Sequence, residues 1–137
     1  MLSLSMEGGA MGRMRSASLG GELKPIGEIV EAGYFWSFNG RVDGINGDPL
    51  ARLDRGQNVR LKMVNDTAFP HAMHLHGMHF RERKTDGSLG PLRDTVLVMP
   101  NETTEIAFVA DNPGKWLFHC DMLGHAASGM TTWINIT

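Results

Sequence analysis

Residues 94–123 read DTVLVMPNETTEIAFVADNPGKWLFHCDML, three short apolar runs separated by turn chemistry. Asp94 to Met99 is almost continuously apolar and is stopped by Pro100. Glu102 to Ala110 alternates, with Ile106 and Phe108 on the same side as Thr104; Asp111-Asn112-Pro113-Gly114 then makes a tight turn before Lys115 to Leu123. Runs of this length with a period of two are strands, and the Pro, Asn, Asp and Gly between them are turn formers. The same rhythm continues outward. Thr131 to Ile136 follows downstream, while upstream Val59, Leu61 and Met63 alternate with Arg60 and Lys62, and Tyr34 to Phe38 ends on the turn dipeptide Asn39-Gly40. No stretch combines a helical period with a cap. Seven or eight short strands, with turns about every 8 to 12 residues, predict an all-β, Greek-key β-sandwich over residues 25–137.

Residues 1–24 hold five Gly and four Met and sustain neither period. They read as a flexible or truncated N-terminal arm. Leu2, Leu4 and Met6 alternate with Ser3 and Ser5, so the opening also suits a single strand whose partner lies in a larger parent protein. The methionine spacing fits soft copper(I) ligation as well, although a linker is the plainer reading.

The 137 residues allow one domain, alone or with an arm, and 42% apolar residues suffice for a core. Thirteen basic against fifteen acidic side chains give a net charge of -2 without a basic run, which argues against nucleic acid as a partner. Apolar runs are too short to span a membrane, and the opening MLSLSMEGG has neither the basic nor the apolar region of an export signal. One cysteine, Cys120, excludes an internal disulfide.

The neighbours of Cys120 therefore matter. Histidines cluster in HAMHLHGMHF (71–80) and in HCDMLGHAASGM (119–130). In the second, Cys120, His125 and Met130 follow C-x4-H-x4-M, placing a thiolate, an imidazole and a thioether on one short loop after a strand. Individually each is more simply a core or loop residue. Together, with His71 as a second imidazole, they form the His2Cys plus weak axial Met set of a blue, type 1 copper site. Thioether is a poor zinc ligand, which disfavours zinc.

Alternation along Lys115–Leu123 puts Trp116, Phe118 and Cys120 on one face and Leu117, His119 and Asp121 on the other. His119 therefore points away from the Cys120 site. His74 and His76 share a face, so His74, His76 and His119 form a second imidazole patch suited to copper, with Asp121 beside it as a proton relay. His79, on the opposite face, is expected to be structural.

From about Tyr34 to Ile136 the chain resembles the C-terminal cupredoxin domain of a bacterial multicopper oxidase, the group of laccases and copper-efflux oxidases. The carrying motifs are FNG, VNDTAFPHAMHLHG, RDTVLV, ADNPGKWLFHC and GHAASGM. The resemblance implies His71 for type 1, His74 for type 2 and His76 for type 3 copper, with His119 a further type 3 ligand and His125 and Met130 completing the type 1 set. Asp121 departs from it, standing where the family carries a type 3 histidine. The preceding domains, one of which supplies the other histidine pairs of the oxygen-reducing cluster, are also missing. By this resemblance the type 1 site is complete and the oxygen-reducing site is not; a periplasmic or extracellular location is implied too.

Three readings follow. One is a redox module that passes single electrons from a small-molecule or metal-ion donor. Another is a homo-oligomeric, laccase-like oxidase in which the His74/His76/His119 face of several copies rebuilds a type 2 or polynuclear copper site and reduces oxygen. A copper-holding structural domain without turnover is the third and plainest reading.

Overall fold

The computed structural model describes residues 1–8 and 14–137; residues 9–13, including Met11 of the methionine-rich opening, lie outside the described residues. In chain order the elements are β1 (Leu2–Gly8), β2 (Ser16–Leu19), β3 (Glu22–Pro25), α1 (Ile26–Glu31), β4 (Trp36–Phe38), β5 (Ala51–Leu53), β6 (Asn58–Asp66), β7 (His71–Leu75), β8 (Phe80–Arg83), β9 (Leu89–Arg93), β10 (Thr95–Val98), β11 (Thr103–Val109), β12 (Gly114–Cys120), α2 (Leu123–Ala127) and β13 (Thr131–Ile136). Neither helix is long and apolar enough to cross a membrane.

Two sheets face each other. One runs β4-β1-β6-β11-β8-β9, the other β10-β7-β12-β13-β5, with β2 and β3 as a separate hairpin. Strands from β5 to β12 repeatedly change sheets, as in a Greek-key sandwich. The all-β expectation holds. More strands form than the seven or eight expected, because the hairpins β2–β3 and β8–β9 and the three-residue strand β5 add to the set.

Period-two burial builds the core. Along β6, Val59, Leu61 and Met63 point inward against Ile106 and Phe108 of β11, while the sheet containing β7 and β12 contributes Met73, Leu75 and Phe118. Full burial of each such side chain is worth roughly 1.5–3 kcal/mol. Core and site are continuous, since Cys120 and Met130 belong to this same cluster.

The opening differs from the expected arm. β1 lies inside the sheet, parallel to β6 from Leu2↔Leu61 to Glu7↔Asp66 and antiparallel to β4, with Leu4 and Met6 fully buried. The partner expected in a larger parent protein is thus present in the chain itself. β2, β3 and α1 are ordered as well, around a small second cluster of Met14, Ala17, Ile29 and Val42.

Gly77, just after β7, has φ +83°, and a Cβ there would collide with the Trp116 ring. Trp116 in turn donates its indole N–H to the Asn112 carbonyl at 2.8 Å, and Asn112 Nδ2 donates to the Gly77 carbonyl at 2.8 Å. Gly77→Ala should therefore combine left-handed strain with overpacking and lower the unfolding free energy by about 2 kcal/mol or more. Chemical denaturation checks this; a loss below about 0.5 kcal/mol would contradict the close packing.

Candidate metal centre

His71 opens β7, Cys120 closes β12, and His125 sits in α2 immediately downstream. β7 and β12 pair antiparallel with Met73 opposite Cys120 and His74 opposite His119. The next turns bring the remaining groups in. Met130 N–H donates to the His125 carbonyl, and Cys120 N–H to the Met130 carbonyl, each at 3.0 Å, so the backbone between the last two sequence-expected ligands is closed into a tight loop.

Three donor atoms converge. His71 Nδ1 lies 3.1 Å from His125 Nδ1, and Cys120 Sγ lies 3.8 and 3.7 Å from the same two atoms. The point equidistant from this triangle's corners lies about 2.1 Å from each, the length of a first-row metal bond to nitrogen or sulfur. Among the described residues this is the group of His, Cys and carboxylate atoms close enough to hold a metal. His71 and Cys120 are fully buried and His125 half-buried. Soft thiolate with imidazole suits copper, and Met130 is buried in the same cluster.

Burial keeps both histidines neutral. Loss of solvent, reinforced by His125, lowers His71 to about 4, and burial also lowers His125. The Cys120 thiol is pushed up by burial, against backbone hydrogen bonds from Met122 and Ala72 that favour its thiolate, while Asp121 adds to the rise. Trp36 closes the site: its ring centroid is 5.0 Å from His71 and 4.7 Å from His125, and Phe69 meets its edge at 5.6 Å. Sequence reasoning missed Trp36, as well as Asn65 and Thr67 behind His71. For the latter two the Asn-x-Thr-x3-His spacing just before β7 was the available signal.

The second histidine group also forms, on the other side of β12 as alternation requires. His76 Nε2 and His119 Nε2 meet at 2.9 Å, and the His74 ring lies 4.6 Å from His76 and 5.6 Å from His119. Only two of the three nitrogens converge, because His74 Nδ1 turns to the Asp94 carbonyl and Thr95 Oγ1 at 3.0 and 3.1 Å. Burial, with His74 and His119, holds His76 below its ordinary value, opposed by Asp121 and Asp94. Asp121 is exposed and anchored through its N–H to the Ala72 carbonyl. His79 is exposed and lines an open groove of about 870 Å³ with Arg81, Leu92 and Val109.

Residues 23–137 match the model of the multicopper oxidase family. The chain belongs to that family. It is 41% identical over 101 residues to the multicopper oxidase MmcO of Mycobacterium tuberculosis, covering 74% of this chain and 20% of the relative. Among solved structures, Lac15 from a marine microbial metagenome is 53% identical over 66% of this chain and 24% of its own, with TM-score 0.60. The multicopper oxidase of Pseudomonas thermotolerans superposes over 99% of this chain and 29% of its own at TM-score 0.72 and 28% identity. The chain thus spans about a fifth to a third of the relatives it matches. It is a copper-binding, cupredoxin-like domain of a multicopper oxidase type.

Acid should destabilise the metal-free protein through His71. Its folded value near 4 lies below the ordinary 6.5, so the unfolded chain takes up the proton first; stability is complete above about pH 6.5 and is lost as pH falls towards 4. The full loss is on the order of 3 kcal/mol. An NMR titration that placed His71 at or above 6.5 would refute this.

Proposed function

We propose that the chain is a single-electron-transfer domain whose type 1 copper is held by His71 Nδ1, Cys120 Sγ and His125 Nδ1, with Met130 as the axial ligand. The convergence of the three donors to within 3.1–3.8 Å of one another in a buried site is the observation that supports this reading. Copper bound there supplies a one-electron couple tuned by its axial ligand. The chain's own residues provide the rest. Neutral His71 and His125 offer lone pairs without first losing a proton, whereas Cys120 releases one on ligation. Backbone N–H groups of Ala72 and Met122 then stabilise the thiolate, and Trp36 covers both imidazoles. His125, less buried than the other two donors, is the edge nearest solvent through which a small-molecule or metal-ion donor delivers electrons. A periplasmic or extracellular location, as the family resemblance implies, belongs to the same reading.

Cys120→Ser should abolish the intense visible thiolate-to-copper band, since a hydroxyl is no soft thiolate donor. Met130→Leu should keep the colour and raise the reduction potential, because losing an axial donor to an apolar group disfavours copper(II). A colourless, copper-loaded wild type would sink the assignment; an unchanged potential in the second variant would remove Met130 from it.

The meeting of His76 and His119 favours a second reading, the homo-oligomeric oxidase. Among the described residues no third His, Cys or carboxylate atom joins that pair at metal-holding distance, so further ligands would come from neighbouring copies. Asp121, on the same face of β12, would serve there as proton relay or hydrogen-bond acceptor. It also replaces an imidazole by a carboxylate, which weakens a coupled copper pair. Copper titration with paramagnetic resonance and solution mass should accordingly give one type 1 signal and at most one further ordinary copper(II) signal per chain. Magnetically silent copper beyond two per chain in an oligomer would instead show a coupled site and favour the oxidase.

A further inference from the structure

We propose that Asn65 and Thr67 are positioning residues that fix the proton of His71 on Nε2, so that Nδ1 offers its lone pair to copper before the metal arrives. This rests on the reading of His71 as a copper ligand. The inference comes from the side of the ring that faces away from the donor triangle.

Asn65, Thr67 and His71 are all buried, the first and last completely. Their hydrogen-bond directions can be read without ambiguity, starting from the Asn65 amide. Asn65 Nδ2 lies 2.8 Å from the Phe69 carbonyl and 3.0 Å from the Val98 carbonyl. Carbonyls only accept, so both amide protons are committed and Oδ1 must be the acceptor on the other side. There it receives the Thr67 backbone N–H at 3.1 Å and lies 2.6 Å from Thr67 Oγ1.

Two oxygens 2.6 Å apart require a proton between them. Asn65 Oδ1 has none, hence the Thr67 hydroxyl donates. The other oxygen near that hydroxyl, the Phe69 carbonyl at 3.0 Å, is again an acceptor only, so sharing the proton with it changes nothing for His71. Thr67 Oγ1 accepts the Phe69 N–H at 3.3 Å and presents its remaining lone pair to His71 Nε2 at 2.8 Å. Nε2 must then carry the ring proton. In a neutral imidazole that leaves Nδ1 as the acceptor, and Nδ1 is the atom 3.1 Å from His125 Nδ1 and 3.8 Å from Cys120 Sγ.

The device is tied to the fold at both ends. Asn65 is the penultimate residue of β6 in one sheet, and its amide reaches Val98 of β10 in the other, opposite His71 in the β7–β10 ladder. Thr67 and Phe69 belong to the four-residue turn between β6 and β7. The turn that carries the chain from one sheet to the other thereby also sets the tautomer of the first ligand. An acceptor on the distal N–H also raises the basicity of the coordinating nitrogen, and loss of such a partner costs about ten- to a hundredfold in metal affinity.

The test uses the full chain with Thr67→Val, which keeps shape and removes the hydroxyl, and Thr67→Ser, which keeps the hydroxyl. Nitrogen NMR of the metal-free wild type and of Thr67→Ser should show His71 as the Nε2–H tautomer, and Thr67→Val a mixture of the two. Copper(II) affinity in Thr67→Val should fall about ten- to a hundredfold and its reduction potential rise, with both restored in Thr67→Ser. An Nδ1–H tautomer in the metal-free wild type overturns the proposal, as does a Thr67→Val protein with wild-type tautomer and affinity. If Thr67→Val does not fold, the wild-type tautomer and Thr67→Ser decide. A wild type without the visible thiolate band would instead defeat the type 1 reading; the tautomer, measured without metal, would still decide the proton position.

Discussion

The antiparallel register between β7 and β12 is the constraint on which the rest of the molecule depends. With Met73 opposite Cys120 and His74 opposite His119, the core receives Met73, Leu75, Phe118 and Cys120, while His74, His76 and His119 gather on the other side. A slip of one residue would exchange every side chain between these faces. It would expose the thiol and bury three imidazoles without partners, so hydrophobic burial and donor placement select the same pairing. This agreement lets one strand carry two groups of donor side chains, back to back, with adjacent residues His119 and Cys120 belonging to different groups.

Around that register the group of His71, Cys120 and His125 is built against the interior. Cys120 and His71 have no solvent exposure, and Trp36, itself met by Phe69, packs against His71 and His125. Burying imidazoles and a thiol costs free energy unless their polar atoms find partners. On the distal side of His71 the Asn65–Thr67 turn supplies one, and on the sulfur the backbone N–H groups of Ala72 and Met122 do. The donors therefore meet in a nearly metal-sized triangle. The second group is looser: half-buried rings, two nitrogens in contact, and a third turned towards β10.

Much of this was legible from residue spacing. C-x4-H-x4-M placed Cys120, His125 and Met130 on one loop, and period-two alternation separated His119 from Cys120 as the structure does. Thr131–Ile136 forms over the residues expected, but the run Lys115–Leu123 ends as a strand at Cys120 and gives way to α2, a five-residue helix too short to leave a helical period. β1 showed its alternation openly; what was invisible was its partner β6, some sixty residues away and parallel, because strand pairing at that range leaves no local mark. The β2–β3 hairpin did leave one. Gly20 and Gly21, both at positive φ, form the two-residue turn, yet the surrounding Gly and Met obscured it. The Asn65–Thr67 support of His71 was hidden for a different reason, since it depends on Val98, which only the β7–β10 pairing brings near.

The position of β1 bears on the order in which the chain assembles. Both parallel pairings, β1 with β6 and β5 with β13, join segments far apart in sequence. Closing such loops precedes any gain from the contacts, so formation of the native sheets is intrinsically slow. During synthesis Leu2, Leu4 and Met6 are made before β6, which appears dozens of residues later, and β5 is made well before β13. Until then the apolar face of the first strand and the open edge of β6 are exposed to self-association. Production of this domain should therefore be governed by the lifetime of those unpaired edges as much as by the supply of copper.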